Sequence, residues 1–369
     1  MKVGIVTIHN VSNYGAVLQA YALKETIGER FPCYIIDFDN EHVSKSLKYI
    51  RFGTTLHQFL GMGKDICRIL PRSRVIPKFK RFIADKLNVV RYDKDTLKSF
   101  DTFVSGSDQI WNPACVSSPA KFVPEYFLHF ASAKQKKISY ASSCGAYKFN
   151  SVETEQLKSY LKDYASIAVR EKPTSLLLTD LLGKDVHHVL DPTLLLSKED
   201  WLARLGNKQA ISSEEYILVY VIKKTDLLKK TIKKIKNALG IKVILVEQGL
   251  YFDKVIDQHI RDAGPEDFIN LFNNARFVVT DSFHGTTFSV IFNKPFYSVS
   301  PGENVNRISS LLNTLNLQSR IISEFNDLNN IELEVDFLEP KKLLKEQMEY
   351  SKSYLFNSLE NNCNANDHS

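Results

Sequence analysis

Short apolar runs alternate along the chain with stretches of helical period, the pattern of parallel strands joined by crossover helices. Val3 to Ile8 reads as a first buried strand, followed by the polar turn His9 to Gly15 and a helix from Ala16 to Leu23. Tyr34 to Phe38 is the second strand and closes a βαβ unit. Strands are predicted again at Thr102–Val104, Lys137–Ala141, Ser166–Val169 and Val186–Leu190, with helices over Glu153–Tyr164 and Lys172–Leu182. From about Thr54 to Lys86 the alternation breaks into a basic, partly apolar insertion. Leu196 to Ser213 reads as a domain junction, because the fresh strand Tyr216–Ile222 restarts the pattern. Helix Leu227–Leu239, strand Val243–Val246, helix Glu266–Asn273, strand Phe277–Thr280, helix Gly285–Phe292 and strand Pro295–Val299 follow. The expected fold is α/β, with two Rossmann-like doubly wound domains over 1–205 and 206–335. A C-terminal helix from Lys341 to Leu359 and a frayed tail complete the chain in 336–369.

Length and charge narrow the function classes. The 369 residues exceed one ordinary domain, and 44% hydrophobic residues supply a core without disulfides or metal. Lys plus Arg exceed Asp plus Glu by 48 to 42, too little over this length to imply nucleic acid. Five scattered Cys show no C-x-x-C pair and no metal-ligand spacing, which fits reduced thiols in a cytosol. The N-terminal segment reads as neither signal peptide nor anchor, and no stretch reaches the roughly 18 apolar residues of a membrane span.

Ligands of doubly wound sheets bind beyond the carboxyl ends of the strands, so the turns there hold the candidate chemistry. In Thr280-Asp281-Ser282-Phe283-His284-Gly285-Thr286 a strand gives way to a helix. The free N–H groups near Gly285 and Thr286 form an anion site, and His284 beside it can give or take a proton. A helix cap by Asp281 or Ser282 with a solvent-facing His284 is the plainer alternative. Arg170, at another strand end, can clamp a carboxylate or phosphate, or simply pair with Glu171. Lys294 can reach the anion as a point charge, or lie exposed in its loop. Ser107, Asp108, Gln109 and Trp111 combine hydrogen-bonding groups with a ring face and suit a sugar, although an Asx turn with a core Trp reads equally well.

Taken jointly, six strings resemble the polysaccharide pyruvyl transferase family over roughly residues 3 to 312. They are Asn13-Tyr14-Gly15-Ala16-Val17-Leu18-Gln19-Ala20, Gly106-Ser107-Asp108-Gln109-Ile110-Trp111-Asn112, Ser139 to Gly145, Val169-Arg170-Glu171, Leu190-Asp191-Pro192-Thr193-Leu194-Leu195 and Thr280 to Gly285. The resemblance implies a fold like the type B glycosyltransferases, with the active site between the halves. It implies transfer of the enolpyruvyl unit of phosphoenolpyruvate to two hydroxyls of one sugar, as a pyruvate ketal, in making a cell-surface polysaccharide. No metal or other cofactor is implied. Arg170 would then bind the donor and His284 act as general acid or base, with Ser282, Gly285, Thr286 and Lys294 on the donor phosphate. Asn13, Tyr14, Ser107, Asp108, Gln109 and Trp111 would face the acceptor, a saccharide or lipid-linked saccharide. The expected location is cytoplasmic, extending to a peripheral contact of Leu56–Arg81 with the inner face of the membrane; a solvated insertion packed on its own domain competes with that contact. Many members carry an Arg two residues before the His, where this chain has Ser282. Losing one fixed cation costs on the order of 1.5 to 3 kcal/mol. Either another cation replaces it or the donor differs, and a nucleotide-sugar glycosyltransferase and a non-catalytic saccharide-binding relative are the competing readings.

Overall fold

The computed structural model describes residues 1–50, 63, 65–206, 214–249, 253–299 and 305–361. Much of the predicted insertion (54–62 and 64) and the end of the predicted junction (207–213) lie outside the described residues. Ten helices of eight residues or more are described, labelled here in chain order. They are α1 Tyr14–Gly28, α2 Ile69–Lys86, α3 Ser151–Leu161, α4 Lys172–Leu182, α5 Lys198–Leu205, α6 Asp226–Leu239, α7 Pro265–Asn274, α8 Phe283–Ile291, α9 Val305–Thr314 and α10 Leu338–Glu360.

Every strand pair is parallel, as crossover helices require. The first sheet has the order β3-β2-β1-β4-β5, from β1 Val3–Val6, β2 Cys33–Asp37, β3 Val89–Arg91, β4 Thr102–Ser105 and β5 Lys136–Ser139. A small pair, β6 Ile167–Val169 and β7 Val186–His188, continues it through isolated bridges from Ile138 to Ser166 and Ser142 to Val169. The second sheet runs β10-β9-β8-β11-β12-β13, from β8 Tyr216–Tyr220, β9 Lys242–Val246, β10 Gln258–Ile260, β11 Phe277–Thr280, β12 Phe296–Val299 and β13 Ile321–Ile322. In both sheets the order reverses beside the first strand, and the carboxyl ends open onto one cleft.

The period-2 alternation of the second sheet divides its residues between two cores. Ile217, Val219, Val243, Leu245, Phe277 and Val279 face outward onto α6. Leu218, Ile244, Val246, Val278 and Phe296 join the large core that also contains the first sheet. The halves are therefore welded by apolar packing. Tyr14 fixes the weld: its ring stacks on Phe268 at 4.4 Å, tilts against Phe79 at 5.2 Å, and its hydroxyl donates to the Ala263 carbonyl at 2.7 Å. The C-terminal helix α10 returns to the first half, where the Tyr354 hydroxyl donates to the Ser139 carbonyl.

Candidate active site

Four strand ends build the fixed wall. After β6, Arg170 is 4% exposed and ringed by carboxylates. Its Nη1 lies 2.7 Å from Asp191 Oδ2, Nε 3.3 Å from Glu171 Oε1, and Nη2 3.7 Å from Asp108 Oδ1. Burial alone would lower the Arg170 pKa, but Glu171, Asp191 and Asp108 outweigh it and raise it. Asp191, on the turn after β7, accepts from the Thr193 N–H and hydroxyl through Oδ1. Burial pushes its carboxyl up, but His284 and Arg170 beside it hold it well below the usual carboxylate range. Glu171 is the counterpart, raised by burial although Arg170 and the Ser143 hydroxyl at 2.6 Å oppose the rise.

The opposite wall comes from the second half. Ser282 is the N-cap of α8 but accepts no capping hydrogen bond, and the first intrahelical donor is the N–H of Thr286 to the Ser282 carbonyl. His284 sits one residue inside this end, and its buried Nε2 has no hydrogen-bond partner and lies 3.7 Å from Asp191 Oδ2. Across the chain, Gly15 opens α1 directly against the same ring: a Cβ there would lie 2.0 Å from His284 Nδ1. The imidazole is thus held between a carboxylate and a glycine of the first half. Ser282, Phe283 and His284 share a cavity of about 370 Å³ with Asn13, Asp108, Gln109 and Arg307. Arg307, on α9, is the unforeseen member. Its guanidinium lies 5.9 Å from the centre of the Phe283 ring, which Arg170 also approaches, at 4.7 Å. Burial and then Arg170 lower the Arg307 pKa.

A profile of the polysaccharide pyruvyl transferase family matches residues 13–303, most of the chain. The chain belongs to that family. The fold is that of solved type B glycosyltransferase-like enzymes. The UDP-GlcNAc 2-epimerase of Neisseria meningitidis, solved with UDP-GlcNAc, has a TM-score of 0.53 at 10% identity, covering 98% of this chain and all of that one. Another UDP-N-acetylglucosamine 2-epimerase gives 0.52 at 12% identity over 100% and 99%. MnaA of S. aureus, solved with UDP, gives 0.50 at 10% over 98% and 96%. A search of curated protein sequences returned no match. Among the described residues no helix is long and apolar enough to cross a membrane.

The geometry sorts the candidate residues of this pyruvyl transferase family member. Asn13 lines the cavity and also caps α1, accepting from the Ala16 N–H at 3.2 Å. Asp108, held in the left-handed region at φ 71°, and Gln109 line it too. Tyr14 is spent on the weld between the halves. Trp111 is 0% exposed, stacked on Phe127 with its indole N–H on Ser105 and the Tyr126 carbonyl, so it supports the turn and offers no face to a sugar. Ser107 is buried against Asp191 at 3.4 Å. The Thr286 hydroxyl is paired within the fold, to Ser282 and Ser298. Gly285 serves packing, since a Cβ would meet Thr280 Oγ1 at 2.1 Å. Asp281, one of the two candidate caps, instead accepts the Ile222 and Lys223 N–H groups.

Lys294 is placed elsewhere. It follows α8, whose nine residues span about 13 Å, and precedes β12, so it sits at the amino edge of the sheet, opposite the cleft. Burial, with Lys198 and Arg276, brings its pKa down to about 8 from 10.5. A Lys with a lowered folded pKa opposes folding below pH 8, and that penalty is relieved as pH rises toward 10.5. Lys294→Gln is therefore expected to stabilise the protein at pH 7, the gain vanishing near pH 10.5. Denaturant unfolding of both proteins across this range checks it; a pH-independent difference would refute the assignment.

Proposed function

We propose that the chain transfers the enolpyruvyl unit of phosphoenolpyruvate to two hydroxyls of a saccharide, yielding a cyclic pyruvate ketal and inorganic phosphate. The observation that carries this reading is one cavity, in a member of this family, that joins an imidazole at a helix N-terminus to the guanidinium of Arg307. Protonation at C3 makes the donor methylene a methyl and leaves C2 electron-poor. One sugar oxygen bonds to C2, the C2–O bond to phosphate breaks, and the second sugar oxygen closes the ketal. Of the two hydroxyl protons, one balances the new methyl and the other leaves with phosphate. His284 is the group that moves protons in this scheme.

Arg307 takes the part first assigned to Arg170. Arg307 lines the cavity together with Ser282 and His284 and supplies there a cation that Ser282 does not. The α8 N-terminus adds its free N–H groups to the phosphate side. Millimolar phosphoenolpyruvate should raise the melting temperature of wild type and of His284→Gln, and shift Arg307→Ala little. Ligand at 100 times its dissociation constant stabilises by about 2.7 kcal/mol. With acceptor, His284→Gln should release phosphate roughly 10²- to 10⁴-fold more slowly. A shift with UDP-sugars and none with phosphoenolpyruvate would transfer the assignment to a nucleotide-sugar donor.

A further inference from the structure

Three separate segments meet at the rim of the cleft. Ile222 lines the cavity yet is 61% exposed. Ser46 lines it too, and the buried Arg72 of α2 binds the backbone carbonyls of Ser46, Lys48 and Tyr49, holding the start of α2 against this rim. The outer side of that helix start carries Leu70, 71% exposed, with Ile69 and, just before the helix, Ile66 at 57%; Tyr49 beside them is also exposed. Large aliphatic side chains left in water at one edge mark a contact surface.

The charges around them are of one dominant sign. Lys45, Lys48 and Lys223 are exposed on the same segments, and Arg74, one turn beyond Leu70, projects outward with Asp262 as its acidic neighbour at 3.6 Å. Protruding aliphatic residues set among cations are what an interfacial surface offers an acyl boundary and anionic headgroups. We propose that this rim docks the open side of the cleft onto an anionic lipid bilayer. The contact rests on Tyr49, Ile66–Leu70 and Ile222 with their flanking cations, and excludes the second half of α2. There Lys78 turns inward to Asp267 at 2.7 Å and its stem packs where a Gly264 Cβ would lie. The donor chemistry above plays no part in the inference.

Co-sedimentation with phosphatidylcholine vesicles, and with vesicles containing added phosphatidylglycerol, tests it on the full chain. Wild type is expected to bind the anionic vesicles and release as salt rises. Ile66→Glu/Leu70→Glu should lower the bound fraction by tenfold or more, and Arg81→Glu on the far part of α2 should leave it unchanged. Both variants alter exposed side chains, so an unchanged far-UV circular dichroism spectrum and ligand-free melting temperature separate lost docking from lost folding. Wild type that ignores anionic vesicles, or a double variant that binds like wild type, overturns the proposal. So does sedimentation velocity showing a lipid-free dimer that Ile66→Glu/Leu70→Glu dissociates, which would make the rim a contact between two copies.

Discussion

Gly15→Ala is expected to cost roughly 10²-fold in turnover while the fold survives. The three atoms nearest the new Cβ, at 2.0 to 2.5 Å, all belong to the His284 ring. Nothing else obstructs a methyl group more closely, so the imidazole must move, by more than 1 Å, to restore an ordinary contact. A displacement of that size is enough to cost about 10² in rate. The same clash is an overpacking defect of about 1 to 3 kcal/mol. Because the ring supplies the three closest contacts, His284→Ala in the Gly15→Ala background should return most of that stability. Denaturant midpoints for the two single variants and the double variant measure the coupling without any substrate. Additive effects would show that the ring and the glycine do not press on each other.

Asp191→Ala should be the most destabilising single change in the site, by about 3 to 5 kcal/mol. It strips the closest partner from a buried guanidinium, and an uncompensated buried charge costs that much. Glu171 remains, but its own burial already disfavours its charge. Asp191→Asn keeps the shape and loses the charge, so it should fold better than Asp191→Ala yet share the loss of turnover. The acid limb of stability carries a signature. Because the folded-state pKa is held far below 3.8, the Asp191 contribution is complete above about pH 4 and drains away as pH falls further. The gap between wild type and Asp191→Asn should accordingly narrow below pH 4. A gap that stays constant into acid would mean that Asp191 is not the charge on which Arg170 depends.

Much of this fold is legible in the chain, for reasons that also mark the gaps. Central parallel strands are buried on both faces and read as plain apolar runs: Phe277–Thr280 coincides with its prediction, and Tyr216–Ile222 overshoots β8 by two residues. Edge strands lack that signal. Gln258–Ile260 and the two-residue β13 pass as loop, and Val89–Arg91 hides behind the basic helix before it. Helix α9 follows Pro301 and Gly302 in a run rich in Ser and Asn. Its period was nonetheless present, in Ile308, Leu311, Leu312 and Leu315 at i, i+3, i+4 and i+7, and reading it would have put Arg307 on a packed helix. Within the site, sequence picks out the strand ends but not the direction of side chains. Trp111 and Tyr14 look like sugar platforms because aromatic rings serve cores and ligands alike. Asp191 lies in one of the strings that carry the family resemblance, yet the sequence assigns it no role, since its importance comes from Arg170, 21 residues away, and from His284 in the other half.

The weld at Tyr14 has a kinetic meaning. Gly15 and Asp191 hold His284 from one half, and His284 belongs to the other. Any hinge rotation that widened the cleft would lift the Tyr14 ring off Phe268, pull its hydroxyl from Ala263 and part the imidazole from its carboxylate in one stroke. Under the proposed mechanism, gating and arming would be a single coordinate: a gaping cleft would be a disarmed one, and the donor would meet a positioned imidazole only behind a shut door.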